Sequence, residues 1–398
     1  KKNILIYNRR KPAVWNASSI KTLRETKAKL FNFKKLEFKF KKEILLLTNN
    51  YLNELEIIWQ NKDIKDFFLL EESSFWYCIK DELMDVYKRR MSEYVSLLLI
   101  SKNLFENIDI SCILSSNLVG ETEKSILSTN NQKIHSIMLE HGYANYVPEI
   151  SRYDILSMYP LIKDKIAVWG EIQKKYLVER KNIENNKILM VGSPKHDKLF
   201  KIKNNSLLSN TKTILLAFHP INHISGNTDT NSYIKFENFL IDFSDIIKKF
   251  PEIEIIVKLH PSQDKHNDDI KNFFKKVDSS ISVYYMKPIT ELITIADVVV
   301  TVSPEGFDPT TVILESMIQE KPIMNIILDD NLYKFQFVKD EAVLSVLSND
   351  DLESNLRSIL FDEKIKNALI QNGKNHISNY LINHGNSSEY FAKIINSL

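Results

Sequence analysis

The sequence predicts an α/β fold made of two Rossmann-like domains followed by a helical C-terminal tail. Three observations carry that prediction. Short apolar runs alternate with helix-length segments almost throughout the 398 residues, the pattern of βαβ units around a parallel sheet. Glycine is scarce, with eight in the chain, and four of them (Gly142, Gly170, Gly192 and Gly306) stand at the ends of strand-like runs, where open α/β sheets place their ligand loops. The alternation also pauses at a polar stretch, Lys201 to Thr213, and then restarts. Domains are therefore expected over 1–205 and 206–375, with C-terminal helices over 376–398 that pack back toward the first domain.

The elements follow in order. Asn3 to Tyr7 reads as a buried strand, and Asn16 or Ser18 can cap a helix running through Leu30. Ile44 to Thr48 reads as a second strand, with an amphipathic helix from Leu52 to Trp59. Ser74 to about Leu104 has helical period, long enough for two helices. Further strands are expected at Ile110 to Leu114, Ile134 to Leu139, Ile166 to Trp169 and Ile188 to Val191. After the polar stretch, strands are expected at Ile214 to Ala217, Ile253 to Leu259, Ser282 to Tyr285, Val298 to Val302 and Ile323 to Ile327. Helices are expected near Phe236 to Phe250, Ile289 to Ala296 and Thr311 to Gln319, and from Asp350 to Leu398.

Composition excludes several classes. At 43% hydrophobic and 26% charged the chain is of ordinary globular make-up, and no run approaches the roughly 20 apolar residues of a membrane span. Cys78 and Cys112 are too few for a disulfide framework. No signal-peptide pattern is visible at Lys1-Lys2 and beyond, so the expected location is the cytoplasm. Net charge is +2, yet residues 1–45 hold 14 Lys and Arg against Glu25, Glu37 and Glu43, a local balance of +11. That bias suits an anionic substrate or membrane surface, or it is simply a solvated basic face. Nucleic acid is not an expected partner, because zinc-finger spacing, RNP-type aromatics and basic repeats are missing.

Four constellations carry chemistry. Two strands end in His-Pro, at His219-Pro220 and at His260-Pro261, with Lys258 just before the second. Proline ends the strand and holds the histidine extended at the sheet edge, where the imidazole can meet a phosphate. Strand Val298 to Val302 runs into Ser303-Pro304-Glu305-Gly306, and then Thr310-Thr311 stands where a helix begins. Hydroxyls and first-turn amides there make a phosphate site, or an ordinary helix cap. Glu315 lies one turn on, on the same face as Thr311, and suits the vicinal hydroxyls of a ribose. In the first half, Glu140-His141-Gly142 closes a strand: His141 can take a proton from a hydroxyl nucleophile, while Glu140 orients it or is itself the base. Walker A, Gly-x-Gly-x-x-Gly, His-Glu-x-x-His, Cys-x-x-Cys and Gly-x-Ser-x-Gly are all missing.

These pieces resemble a family group. Glu140-His141-Gly142, Ala167-Val168-Trp169-Gly170, Val191-Gly192-Ser193-Pro194-Lys195-His196-Asp197, Lys258-Leu259-His260-Pro261 and Thr310-Thr311 through Glu315 to Lys321-Pro322 occur, in that order, over residues 110–325. They are similar to the motifs of GT-B glycosyltransferases of the capsule and surface-polysaccharide branch, which includes polysialyl- and Kdo-type transferases and CDP-glycerol glycerophosphotransferases. The resemblance implies two domains around a deep cleft and an inverting transfer without a metal or other cofactor. The donor would be nucleotide-activated, of CMP or CDP type by a slight preference. The acceptor would be a glycan or a lipid-linked glycan. It implies that His260, Thr310 and Thr311 contact the donor phosphate, that Glu315 holds the ribose and that His141 faces the acceptor; Pro261, Lys258, His219 and Ser303 are expected at the donor site with them, and Glu140 beside His141 at the catalytic site. The family's Ser-Ser is Thr-Thr here, and its glycine-rich turn after the first strand is replaced by Asn8-Arg9-Arg10-Lys11, so Arg9, Arg10 and Lys11 are expected to take the acceptor in this chain's own way. Non-hydrolysing UDP-GlcNAc 2-epimerases share the architecture, and their motifs resemble Glu140-His141-Gly142 and Pro148-Glu149-Ile150-Ser151-Arg152, but their Asp-Ser-Gly-Gly with paired Glu is missing around Ser303. A non-catalytic binding module of the same fold is the third reading.

Overall fold

A computed structural model describes residues 3–7, 23, 29–32, 38–70, 72–115, 126–130, 134–140, 147, 164–202, 211–219, 230–260, 264–303, 310–329, 332–347 and 350–397. The chain divides into two compact units. One comprises Lys1–His141, Met158–Ala167 and Ala392–Leu398, and the other Gly142–Ser157 and Val168–Phe391.

The first sheet is built from β1 (Asn3–Tyr7), β2 (Lys29–Asn32), β5 (Cys112–Ser115), β6 (His135–Leu139), β7 (Lys165–Val168) and β8 (Ile188–Met190), in the order β2-β1-β5-β6-β7-β8. Strands β2, β1, β5, β6 and β7 pair in parallel. The strand order reverses between β1 and β5. A small antiparallel hairpin, β3 (Leu69–Leu70) with β4 (Ser73–Ser74), lies outside this sheet. Helices Lys41–Trp59 and Trp76–Asn107 pack on each other, and Ile44, Val95, Ile100, Leu104 and Phe105 share a core with Ile113 of β5.

Three expectations change here. Ile44 to Thr48 is part of helix Lys41–Trp59 rather than a strand. Only Ile44 and Thr48 of that run are buried, one turn apart, while Leu45 and Leu46 are exposed, so the period is helical. Leu30 belongs to β2 rather than to a helix continuing from residue 16. The long segment after Ser74 is one 32-residue helix rather than two.

The second sheet contains β9 (Lys212–Phe218), β10 (Ile253–Lys258), β11 (Ser282–Tyr284), β12 (Val298–Ser303), β13 (Ile323–Ile327) and β14 (Leu344–Leu347). All its pairings are parallel, in the order β11-β10-β9-β12-β13-β14. Taken in chain order this is the doubly wound 3-2-1-4-5-6 arrangement, with its switch point between β9 and β12. Strand β14 has no counterpart among the sequence expectations. The strands are continuous apolar runs because both faces are covered. Leu216, Val257 and Val300 pack with Phe236 and Phe243 on one face, while Leu215, Ile256 and Val299 pack with Leu292 and Ile293 on the other. Each such fully buried aliphatic side chain contributes about 1.5–3 kcal/mol. The two sheets with flanking helices and the helices Leu352–Phe361, Glu363–Tyr380 and Ser387–Ser397 at the C-terminal end make a GT-B-type fold. Among the described residues no helix is long and apolar enough to cross a membrane.

Candidate functional site

The carboxyl ends of β9, β10 and β12 meet at the switch point of the second sheet. His219 follows β9 and donates its backbone N–H to Val302 of β12 at 3.2 Å. His260 follows β10, and its carbonyl accepts from the Asn267 side chain at 3.3 Å. Their rings stand side by side, centroids 6.1 Å apart and planes 36° from parallel. Both residues are half-buried. Lys258 is different. Its ammonium is buried and donates to the carbonyls of Leu259 at 2.6 Å and Tyr285 at 2.9 Å, and burial holds it below the usual lysine range. Two of its N–H groups therefore fix the turn that carries His260.

On β12, the Ser303 hydroxyl is buried and donates to Asn325 Oδ1 at 3.1 Å, as Thr301 does at 2.8 Å. The expectation placed Ser303 at the donor; its hydroxyl here ties β12 to β13. Thr310 caps helix Thr311–Ile318 in an extended conformation, and its Oγ1 accepts from Val312 N at 3.3 Å. Ile313 N donates to the Thr310 carbonyl. Two first-turn amides are thus engaged within the cap.

Glu315 sits on the second turn of that helix between the buried Ile313, Leu314 and Met317, and is itself 4% exposed. Its Oε1 lies 3.5 Å from Lys195 Nζ and 3.7 Å from His196 Nε2. Burial alone would raise this carboxyl, but the His196 ring and the Lys195 charge outweigh it and hold it below the usual carboxylate range. Burial pushes the His196 imidazole below its ordinary value, against the opposing pull of Glu315. Sequence reasoning gave Lys195 and His196 no role, although both stand in the quoted Val191–Asp197 segment; their partner lies 120 residues downstream, and spacing alone carries no sign of it.

At the first sheet, Glu140 follows β6, is buried, and donates its backbone N–H to Ala167 at 3.1 Å. His135, at the other end of β6, is exposed. His141, Gly142, Arg9, Arg10, Lys11, Pro220, Pro261 and the 304–309 loop lie outside the described residues. Among the described residues no group of three or more His, Cys, Asp or Glu is placed to hold a metal ion.

Comparison with solved structures supports the fold over the whole chain. A glycosyltransferase from Rickettsia africae ESF-5 is 13% identical with a TM-score of 0.54, covering 100% of this chain and 98% of that one. A putative UDP-N-acetylglucosamine 2-epimerase from Listeria monocytogenes is 12% identical with a TM-score of 0.60, covering 100% and 96%. The S. aureus MnaA–UDP structure is 12% identical with a TM-score of 0.59, covering 100% and 98%. No curated protein matches the chain. Fold and family match together define an enzyme of the GT-B class that acts on a nucleotide-activated donor. Residues 21–340 match the family model of CDP-glycerol:poly(glycerophosphate) glycerophosphotransferases, and the chain belongs to that family.

Proposed function

We propose that the protein is an inverting, metal-independent transferase that moves a sugar or glycerol phosphate from a CMP- or CDP-type donor to a surface-polysaccharide or glycolipid acceptor in the cytoplasm. The observation that carries this reading is the pairing of His219 and His260 at the switch point of the second sheet, supported by the family match over 21–340. His260 and the hydroxyls of Thr310 and Thr311 would meet the negative charge that grows on the leaving phosphate. Glu315 would accept from the ribose hydroxyls. The acceptor hydroxyl attacks the transferred carbon or phosphorus as its proton passes to His141 or Glu140, and the nucleotide leaves with the bonding pair. Domains over 1–205 and 206–375 would divide acceptor from donor, with Arg9, Arg10 and Lys11 on the acceptor side. The exposed Leu45, Leu46, Ile57 and Phe67, beside a lysine-rich segment, support peripheral contact with an anionic membrane surface.

A second reading has its own support. Structures of UDP-N-acetylglucosamine 2-epimerases resemble the chain at TM-scores of 0.55 to 0.60, at least as well as the glycosyltransferase at 0.54. In that reading the same site takes UDP-GlcNAc and no acceptor is needed. The two separate in one experiment. A thermal-shift screen over CMP, CDP, UDP and GDP identifies the nucleotide, since a ligand at 100 times its Kd adds about 2.7 kcal/mol. UDP-GlcNAc is then incubated alone and followed by NMR. Cytidine nucleotide binding without epimerisation is expected; acceptor-free conversion of UDP-GlcNAc would overturn the transferase. For the transfer itself, His141→Ala should slow turnover about 10²- to 10⁴-fold with donor binding near wild type. If Glu140→Gln alone has that effect, the carboxylate is the base.

A further inference from the structure

The segment Val191–Asp197 is held from several sides by contacts the transfer reading does not use. Gly192 has φ +81°, and a Cβ there would overlap the Ile382 carbonyl and the Ser387 hydroxyl. The Asn383 side chain donates to the Val191 carbonyl at 3.2 Å. Asp197 accepts from the backbone N–H groups of Ser387 at 2.9 Å and Ser388 at 2.7 Å, and from the Ser388 hydroxyl. Between these anchors, Ser193 Oγ lies 2.7 Å from His196 Nδ1, and the His196 ring meets Trp169 edge-on at 5.3 Å. A neutral imidazole that accepts at Nδ1 from the serine carries its hydrogen on Nε2, the nitrogen turned toward Glu315.

Glu315 gives this arrangement its meaning. A carboxylate buried on an apolar helix is costly unless cations or donors face it. Lys195 and His196 both face Oε1. Oε2 is buried and has no hydrogen-bond partner among the described residues. The carboxylate is thus countered on one oxygen and unused on the other. Of the group, only Lys195 reaches solvent, with 28% of its side chain exposed against 2% for His196 and 5% for Glu315. A sugar ring would therefore approach alongside Lys195.

We infer that Lys195 and His196 are positioning residues of the donor site, which aim the Glu315 carboxylate so that Oε2 can accept from the two ribose hydroxyls. This rests on the donor-site reading of Glu315, and the test separates the two. CDP and 2′,3′-dideoxy-CDP are titrated calorimetrically into the wild type, Glu315→Gln, Lys195→Met and Lys195→Arg, with the melting temperature of each free protein recorded. The wild type should prefer the ribose form, and Glu315→Gln should lose the preference. Lys195→Met should lose about tenfold of it along with some stability, because the buried carboxylate loses its cation, and Lys195→Arg should restore most of both. A merely structural lysine would lower stability and leave the ribose preference alone. If Glu315→Gln loses the preference and Lys195→Met keeps it, the positioning role is overturned and the ribose role survives. If Glu315→Gln keeps it, or the wild type makes no distinction, both fall. His196→Asn is a further variant; should it fail to fold, the lysine pair decides.

Discussion

Two regions of the second unit use the same residue types in opposite ways. At the rim of the sheet, His219 and His260 are half-buried, adjacent, and held through their backbones. Behind helix Thr311–Ile318, His196 and His376 are 2% and 1% exposed and held through their rings, His196 by Ser193 and His376 by Asp340 at 2.7 Å with Tyr380 stacked on it. Fixing a histidine through its main chain constrains the backbone, whereas fixing it through a ring nitrogen and an aromatic contact makes the imidazole itself part of the framework. The rim should therefore govern affinity with little effect on stability, whereas changes in the backing should always cost stability, whatever they do to the ribose preference.

The largest test of that division is Gly192→Ala. The positive φ and the overlap with backbone at Ile382 should destabilise the protein by about 2–3 kcal/mol, read as a fall in the urea midpoint. A variant as stable as wild type would break the division on the backing side. Next comes His260→Ala, which should cost about 1.5–3 kcal/mol of nucleotide affinity with an unchanged melting temperature. Equal nucleotide affinity would remove His260 from the site, and a fallen melting temperature would make it framework.

A smaller effect is expected from pH. Burial holds both His196 and His376 below their ordinary value of 6.5. The unfolded chain takes up protons near 6.5 that the native rings refuse, so it binds more protons there and stability falls as pH drops below that point. Glu315, held low, adds a second loss only below its ordinary value of 4.5. Urea midpoints between pH 7.5 and 5.5 should decline for wild type and less for His376→Gln; a flat wild-type profile would contradict the buried neutral rings. The smallest expected effect is none at all: turnover should survive EDTA, and a complete, Mg²⁺-reversible loss would reveal metal ligands at this rim.

The fold was legible wherever one apolar run made one strand with both faces covered, as in Val298–Ser303 and Ile323–Ile327. It was misread where an apolar run belonged to a half-exposed helix. Ile44-Leu45-Leu46-Leu47 looks like strand, yet two of the four face solvent. Strand β14 was missed because Leu344-Ser345-Val346-Leu347 is short and only Val346 is buried. At the site, the His-Pro corners and the Thr310 cap were visible as local patterns. The Lys195–Glu315 and Asp197–Ser388 contacts join residues more than a hundred apart, and only the folded chain brings them together.

The division of the chain into units has a consequence for biosynthesis. The first unit is assembled from Lys1–His141, Met158–Ala167 and Ala392–Leu398, so its final segment is the last part of this sequence to be made. The second needs Gly142–Ser157, made well before the strands of its own sheet. Domains normally fold as they leave the ribosome, N-terminal first. Here neither unit is one unbroken stretch of chain, so a growing polypeptide holds an unfinished first unit until translation reaches residue 392. Loss of residues 392–398 would therefore be felt in the unit that contains Lys1–His141.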